Sequence, residues 1–207
     1  MTIDYKKIEK ELYQPKTSPS VIDVPEMRFI AVDGKGDPNT NAEYTSAVEL
    51  LYGLAYAIKM GNKAVLEYVV LPLEGFWDVA DNFKGGGAAI TDKRKFVWTM
   101  LIRQPEFVTD EVFEKAKATL VKKRPGIDTS KARLETITEG LCVQVMHIGA
   151  YDDEPATVKM LDRFAADNGY VIDMGGDRRH HEIYLSDPRK VAPEKLKTVL
   201  RHPIQRA

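Results

Sequence analysis

His180-His181-Glu182-Ile183-Tyr184-Leu185-Ser186-Asp187, stopped by Pro188, is the stretch on which the reading of the fold turns. In extended chain, successive side chains take opposite faces, so His180, Glu182 and Tyr184 share one face while His181, Ile183 and Leu185 share the other. A carboxylate set between an imidazole and a phenol in a mostly buried strand needs compensation, because an unpaired buried charge is costly. A ligand can supply it, and so can a neighbouring Arg or Lys of the protein itself. The stretch alone leaves both readings open.

Outward from this strand the chain repeats a pattern. Arg28 to Val32 reads as a strand, Asp33 to Asn39 as a turn, and Ala42 to Lys59 as a helix with Val48, Leu51, Leu54, Ala55 and Ile58 on its apolar face. Val65 to Leu71 is β-branched and aromatic and is predicted as a strand, and Lys95 to Arg103 as another, stopped by Gln104-Pro105. The second round has extended segments at Leu134–Thr138 and Leu141–Ile148 with a turn at Glu139-Gly140. It continues with an acidic turn ending in Pro155, a helix carrying Val158, Leu161 and Ala165, a short strand at Tyr170–Met174, and the opening stretch as its last strand. The expected fold is α+β: duplicated βαββ units with pseudo-two-fold symmetry, repeat 1 over about 28–105 and repeat 2 over about 141–188, with 106–140 joining them and a ligand cleft between. Residues 1–24 read as an N-terminal helix around Ile8, Leu12 and Tyr13 with a linker, and 189–207 as a basic tail with one helical turn.

Some features are set aside. Gly85-Gly86-Gly87 invites comparison with a phosphate cradle, but no GxxxxGK[ST] is present and the segment precedes a strand, not a helix. Lys122-Lys123-Arg124 complements a helix C-terminus before Pro125-Gly126. The 30 basic and 31 acidic residues nearly cancel, so no nucleic-acid partner is expected. The single Cys142 excludes an internal disulfide, and four His residues without CxxC or HxxxH spacing give no expectation of a metal, nor of another cofactor. The charged N-terminus lacks an apolar signal region and no stretch reaches the roughly 20 apolar residues of a membrane span, so a cytoplasmic protein without membrane contact is expected, a monomer being compatible with the sequence.

Four motifs in order carry a resemblance: Asp33-Gly34-Lys35-Gly36, Pro72-Leu73-Glu74-Gly75-Phe76-Trp77, Trp98-Thr99-Met100-Leu101-Ile102-Arg103-Gln104-Pro105, and His181-Glu182-Ile183-Tyr184-Leu185-Ser186-Asp187-Pro188. Over roughly 25–205 the chain resembles the GyrI-like small-molecule-binding family. That resemblance implies a cleft lined by aromatics around a central Glu, matched here by Glu182, with Tyr184 beside it and Tyr68, Trp77 and Trp98 as wall positions. It also implies drug-sensing or detoxifying roles, and some stand-alone members open the cyclopropane of cyclopropanoid genotoxins by hydrolysis. The first 24 residues are too short for a helix-turn-helix, unlike the transcription-factor members.

The site expectations follow. Glu182 and Tyr184 are the candidate catalytic pair, a carboxyl of raised pKa and a phenol. Tyr68, Trp77, Trp98, Met100 and His180 are candidate ligand contacts; core packing is the ordinary role of a Trp or Tyr in a strand, and a surface or hydrogen-bonded structural role that of His180. The expected function is binding of a lipophilic aromatic, often cationic, molecule for sequestration or detoxification; the alternatives are cyclopropane hydrolysis and modulation of a topoisomerase-like protein partner.

Overall fold

A computed structural model describes residues 2–79 and 92–207; the triple glycine at 85–87 falls outside the described residues. Seven strands are present among them: β1 (Ser20–Lys35), β2 (Leu73–Val79), β3 (Phe96–Gln104), β4 (Ala132–Ile148), β5 (Tyr170–Ile172), β6 (His180–Tyr184) and β7 (Lys197–Arg206). Their neighbour order is β4-β1-β3-β2-β6-β7-β5, and β4 also pairs with β7. Six antiparallel strands therefore close into a barrel, with β5 lying outside it against β7. The helices are α1 (Tyr5–Ile8), α2 (Lys10–Tyr13), α3 (Ala42–Gly61), α4 (Asp110–Lys123) and α5 (Glu154–Asp167). The α+β class holds.

Several element boundaries differ from the sequence expectation for identifiable reasons. Residues 65–71 form no strand; the extended strand lies later, at β2, and Tyr68 makes only an isolated bridge to Ile3. The turn expected at Glu139-Gly140 is absent because Gly140, at φ +65°, lets β4 run on as one strand of 17 residues. The basic tail contains β7, masked in the sequence by Pro203; at its position opposite Cys142 in β4 that proline is accommodated inside the barrel. The opening stretch is therefore not the last strand, and its extended part ends at Tyr184.

Strand register sorts the side chains. Gly34, Trp98, Trp77 and His180 lie in one row across β1, β3, β2 and β6, and Val32, Met100, Gly75 and Glu182 in the next. These face out of the barrel, while Glu74, Phe76, His181, Ile183, Val199 and Arg201 face in. On the outer face α3 covers β1 and β3, and α5 covers β4 and β7 through a small apolar cluster of Val143, Val145, Leu161, Ala165, Leu200 and Ile204. Between the two helices the outer face of β2 and β6 stays uncovered and forms the floor of a cleft. At one end of the barrel α1 and α2 pack down: Glu9 ion-pairs with Arg103, Tyr13 accepts a hydrogen bond from it, and Arg201 donates to the Leu12 carbonyl.

Candidate functional site

The cleft measures about 1810 Å³ and is open to solvent. Its floor carries Glu182 at the centre. Oε2 of Glu182 accepts the Tyr184 hydroxyl proton at 2.7 Å, and Oε1 lies 3.1 Å from Nε2 of His180. From β2 the Trp77 indole N–H donates to the Tyr184 oxygen at 2.9 Å. This arrangement depends on Gly75, which sits opposite Glu182 in the ladder. A Cβ at that position would lie 2.7 Å from Trp77 Nε1 and 3.2 Å from both Met100 Sδ and Tyr184 Oη, so no side chain fits under the indole–phenol bond.

The walls come from the helices. Asn41 caps α3 by accepting the Glu43 amide, and this places Tyr44 in the first turn, tilted against Trp77 with ring centroids 6.2 Å apart. On the other side the Nε2–H of His147 donates to the Ala150 carbonyl and its Nδ1 accepts from Thr157, which fixes the start of α5. That start brings Tyr151 edge-on to Tyr184, centroids 5.8 Å apart, and buries Glu154. Phe96 meets Trp77 edge-on at 5.4 Å and completes the aromatic lining.

Glu154 is the residue that the sequence reading missed. Burial first, and then the facing Glu182, push its pKa well above the ordinary carboxyl range, although it stands at a helix N-terminus where a negative charge is normally favoured. Glu182 and Thr198 are close enough to act on this carboxyl, yet Oε1 of Glu154 and Oγ1 of Thr198 each lack a well-aligned hydrogen bond. The same pair of carboxyls governs the surrounding phenols. Burial, followed by Glu154 and Glu182, pushes Tyr151 up to about 12. Burial, then Glu182, raises Tyr184 and Tyr44 further. The phenols are thus hydrogen-bond donors.

Of the residues expected from the sequence, Glu182, Tyr184, Trp77 and His180 line the cleft together. Trp98 and Met100 share the floor's outer face but lie one strand further on, fully buried beneath α3. Trp98 packs edge-on to Tyr44 and directly over Gly34, where a Cβ would fall 2.0 Å from the ring, so it supports the wall from behind. Tyr68 is buried against Phe107, away from the cleft. A carboxyl of raised pKa lines the cleft at Glu154, with Glu182 facing it.

The sequence profile of the GyrI-like small molecule binding domain matches residues 17–205. The chain belongs to this family. Among solved structures, an uncharacterized conserved protein from Listeria innocua is 47% identical, with a TM-score of 0.92 over 99% of this chain and 100% of that one. A protein described as a hydrolase from Listeria innocua is 46% identical, with a TM-score of 0.88 over the same shares. The C-terminal domain of EcmrR, 14% identical with a TM-score of 0.55 over 92% of this chain and 98% of that one, shares the fold. No curated protein matches significantly. Within this GyrI-like chain, no described helix is long and apolar enough to cross a membrane, and the described residues contain no cluster of three or more His, Cys, Asp or Glu side chains arranged to hold a metal ion.

Proposed function

We propose that this GyrI-like chain takes a flat, lipophilic aromatic molecule into the cleft and opens a strained ring on it by adding water, as a detoxifying hydrolase. One observation carries the reading: two carboxyls face each other in an aromatic cleft, one held protonated by burial and by its partner, which is what an acid and a base working on one substrate require. The 46% identity to a protein described as a hydrolase supports it. So does the paired topology. β1-α3-β2-β3 and β4-α5-β6-β7 follow the same order, β1 pairs with β4 and β2 with β6, and we read these as duplicated βαββ halves meeting at the site.

In an electrophilic cyclopropane conjugated to a dienone, Glu154 donates its proton to the carbonyl oxygen. The water oxygen bonds to the ring methylene carbon, and Glu182 takes the proton that water loses. The ring C–C bond breaks, its electron pair passes into the dienone, and the product is a phenol bearing a new hydroxyl. Glu154 ends ionised and Glu182 protonated, and one proton passed between them restores the starting state. Tyr184, donating to Glu182 and locked by Trp77, fixes the base in place.

A second reading, sequestration without chemistry, is favoured by the aromatic walls of Tyr44, Trp77, Phe96 and Tyr151, each worth on the order of 0.5–2 kcal/mol to a stacked or cationic ligand. Incubation with a cyclopropanoid compound separates the two. A water-added product, abolished in Glu154→Gln and Glu182→Gln, is the expected result; tight binding with the compound recovered unchanged overturns hydrolysis in favour of sequestration.

A further inference from the structure

Glu182 is one end of a longer chain of hydrogen bonds. Beyond Nε2 of His180, its Nδ1 lies 2.7 Å from Nε2 of His202 on β7, and Nδ1 of His202 lies 2.7 Å from Oδ1 of Asp162 on α5. The imidazoles of His180 and His202 cross at 75° with their centroids 4.9 Å apart. His202 is almost fully buried, whereas Asp162 is about one quarter exposed, so the chain runs from the surface into the cleft. No residue of it beyond His180 was visible as a site in the sequence.

Counting protons gives the chain its meaning. Three contacts, Asp162–His202, His202–His180 and His180–Glu182, need three protons, and two neutral imidazoles bring only two. A carboxylate stands at each end and donates nothing when ionised. Asp162 takes the Nδ1–H of His202, so Nε2 of His202 is a lone pair that accepts the Nδ1–H of His180. Nε2 of His180 is then also a lone pair, and it faces Glu182. The contact closes only if a third proton enters between them, either on His180 as an imidazolium or on Glu182 as a carboxylic acid.

We propose that Asp162 and His202 are positioning residues that fix the tautomer of His180 and thereby place a shared, mobile proton between His180 and the Glu182 carboxyl. His202 is not where that proton rests: burial above all, with the nearby His180 adding to it, depresses its basicity against the opposing pull of Asp162. The other charged groups around His180 are Glu154 across the cleft and Asp78, Arg178 and Arg179 in the shallow recess on its far side. Arg178 is paired with Asp173 and Arg179 is bonded to Thr99. This inference rests on the hydrolytic reading for its catalytic consequence, namely that Glu182 can exchange a proton with solvent through the chain between turnovers, but not for the chain itself.

The test therefore has two arms. In ¹⁵N NMR of histidine-labelled protein, His202 is expected as the Nδ1–H tautomer and His180 as Nδ1–H with a second proton shared between its Nε2 and the Glu182 carboxyl. Glu182→Gln, whose amide donates to the lone pair of His180, should return His180 to a single proton. Asp162→Asn, whose amide donates to His202, should reverse the tautomer of both rings and remove the third proton. His202 found as Nε2–H in the wild type, or no change in either variant, overturns the proposal whatever the activity. In the kinetic arm, Asp162→Asn is expected to lower kcat for cyclopropane opening about tenfold or more, with KM within about twofold and a displaced pH profile. A wild-type enzyme without turnover would fail the hydrolase reading and leave the NMR arm to decide the relay; full turnover and an unmoved profile in a folded Asp162→Asn would remove the relay's role.

Discussion

His181 and Glu182 are adjacent in β6, and they stand in opposite worlds. His181 points into the barrel, fully buried, with Nδ1 3.0 Å from Oε2 of Glu139 and Nε2 3.0 Å from Glu74, while Arg201 donates to the other Glu139 oxygen at 2.8 Å. Nε and Nη2 of Arg201 donate to Gln144, and Nη2 also to the Leu12 carbonyl. Two anions and two cations close on each other there. Burial works against the charge on His181, but Glu139 and Glu74 override it and push its pKa to about 9, and His181 with Arg201 overrides the burial of Glu139 and draws it down to about 2. Glu182 points outward, where the facing group is a second carboxyl and, among the described residues, no buried Arg or Lys is paired with either. Inside, charge serves stability; outside, a deficit of protons and partners is left available for chemistry.

Breaking the inner network should cost most. Arg201→Met leaves Glu139 with one partner fewer in a dry interior and is expected to destabilise by about 3–5 kcal/mol in urea titration. The pH signature has two limbs. The His181 contribution is full below its ordinary 6.5 and lost as pH rises through about 9, and the Glu139 contribution is full above its ordinary 4.5 and lost as pH falls toward about 2, so the network is strongest between 4.5 and 6.5. A stability profile in which Arg201→Met tracks the wild type within error would contradict the inner half of the comparison.

Gly75→Ala tests the outer half with a single carbon. Overpacking against Trp77, Met100 and Tyr184 is expected to cost about 1–3 kcal/mol and to part the indole from the phenol. A thermal melt gives the first, and a blue shift or quenching change of Trp77 emission, in a background where Trp98 is replaced by Phe, gives the second.

Glu154→Gln sharpens the contrast by sign. In the folded state Glu154 stays protonated above the pH at which it ionises in the unfolded chain, so its contribution is full below about 4.5 and is lost as pH rises toward the folded value. Gln cannot ionise. Relative to the wild type, the variant should therefore gain stability with rising pH, by up to about 1.4 kcal/mol per unit across that window. A constant difference over pH would mean that Glu154 is not held neutral.

How much of this was legible in sequence depends on the kind of signal. Period-two alternation placed His180, Glu182 and Tyr184 on one face, and Trp77 joined them as a wall position implied by the family resemblance. Trp98 and Met100 were expected as ligand contacts, but neither motif nor resemblance can say which helix lies above a strand, and α3 covers both. Glu154 was hidden inside the acidic run Asp152-Asp153-Glu154, where a solvated helix start is the ordinary reading and only tertiary burial singles out the third residue. His202 was lost with β7, because Pro203 argues against a strand unless the strand belongs to a closed barrel, and closure is a long-range property of β4 with β7.

The small cluster beneath α5 has a mechanical consequence. The helix packs its own Leu161 and Ala165 on Val143, Val145, Leu200 and Ile204, apart from the larger core that holds α3, and it carries Glu154 in its first turn and Asp162 two turns later. Glu154 faces the substrate space, and Asp162 anchors the histidines. A bulky guest that tips the helix would move both together, like the two pans of a balance beam pivoting on Leu161 and Ala165, so ligand size and proton supply share one moving part. Faster amide exchange in α5 than in β4 and β7, slowed by a bound guest, would be its signature.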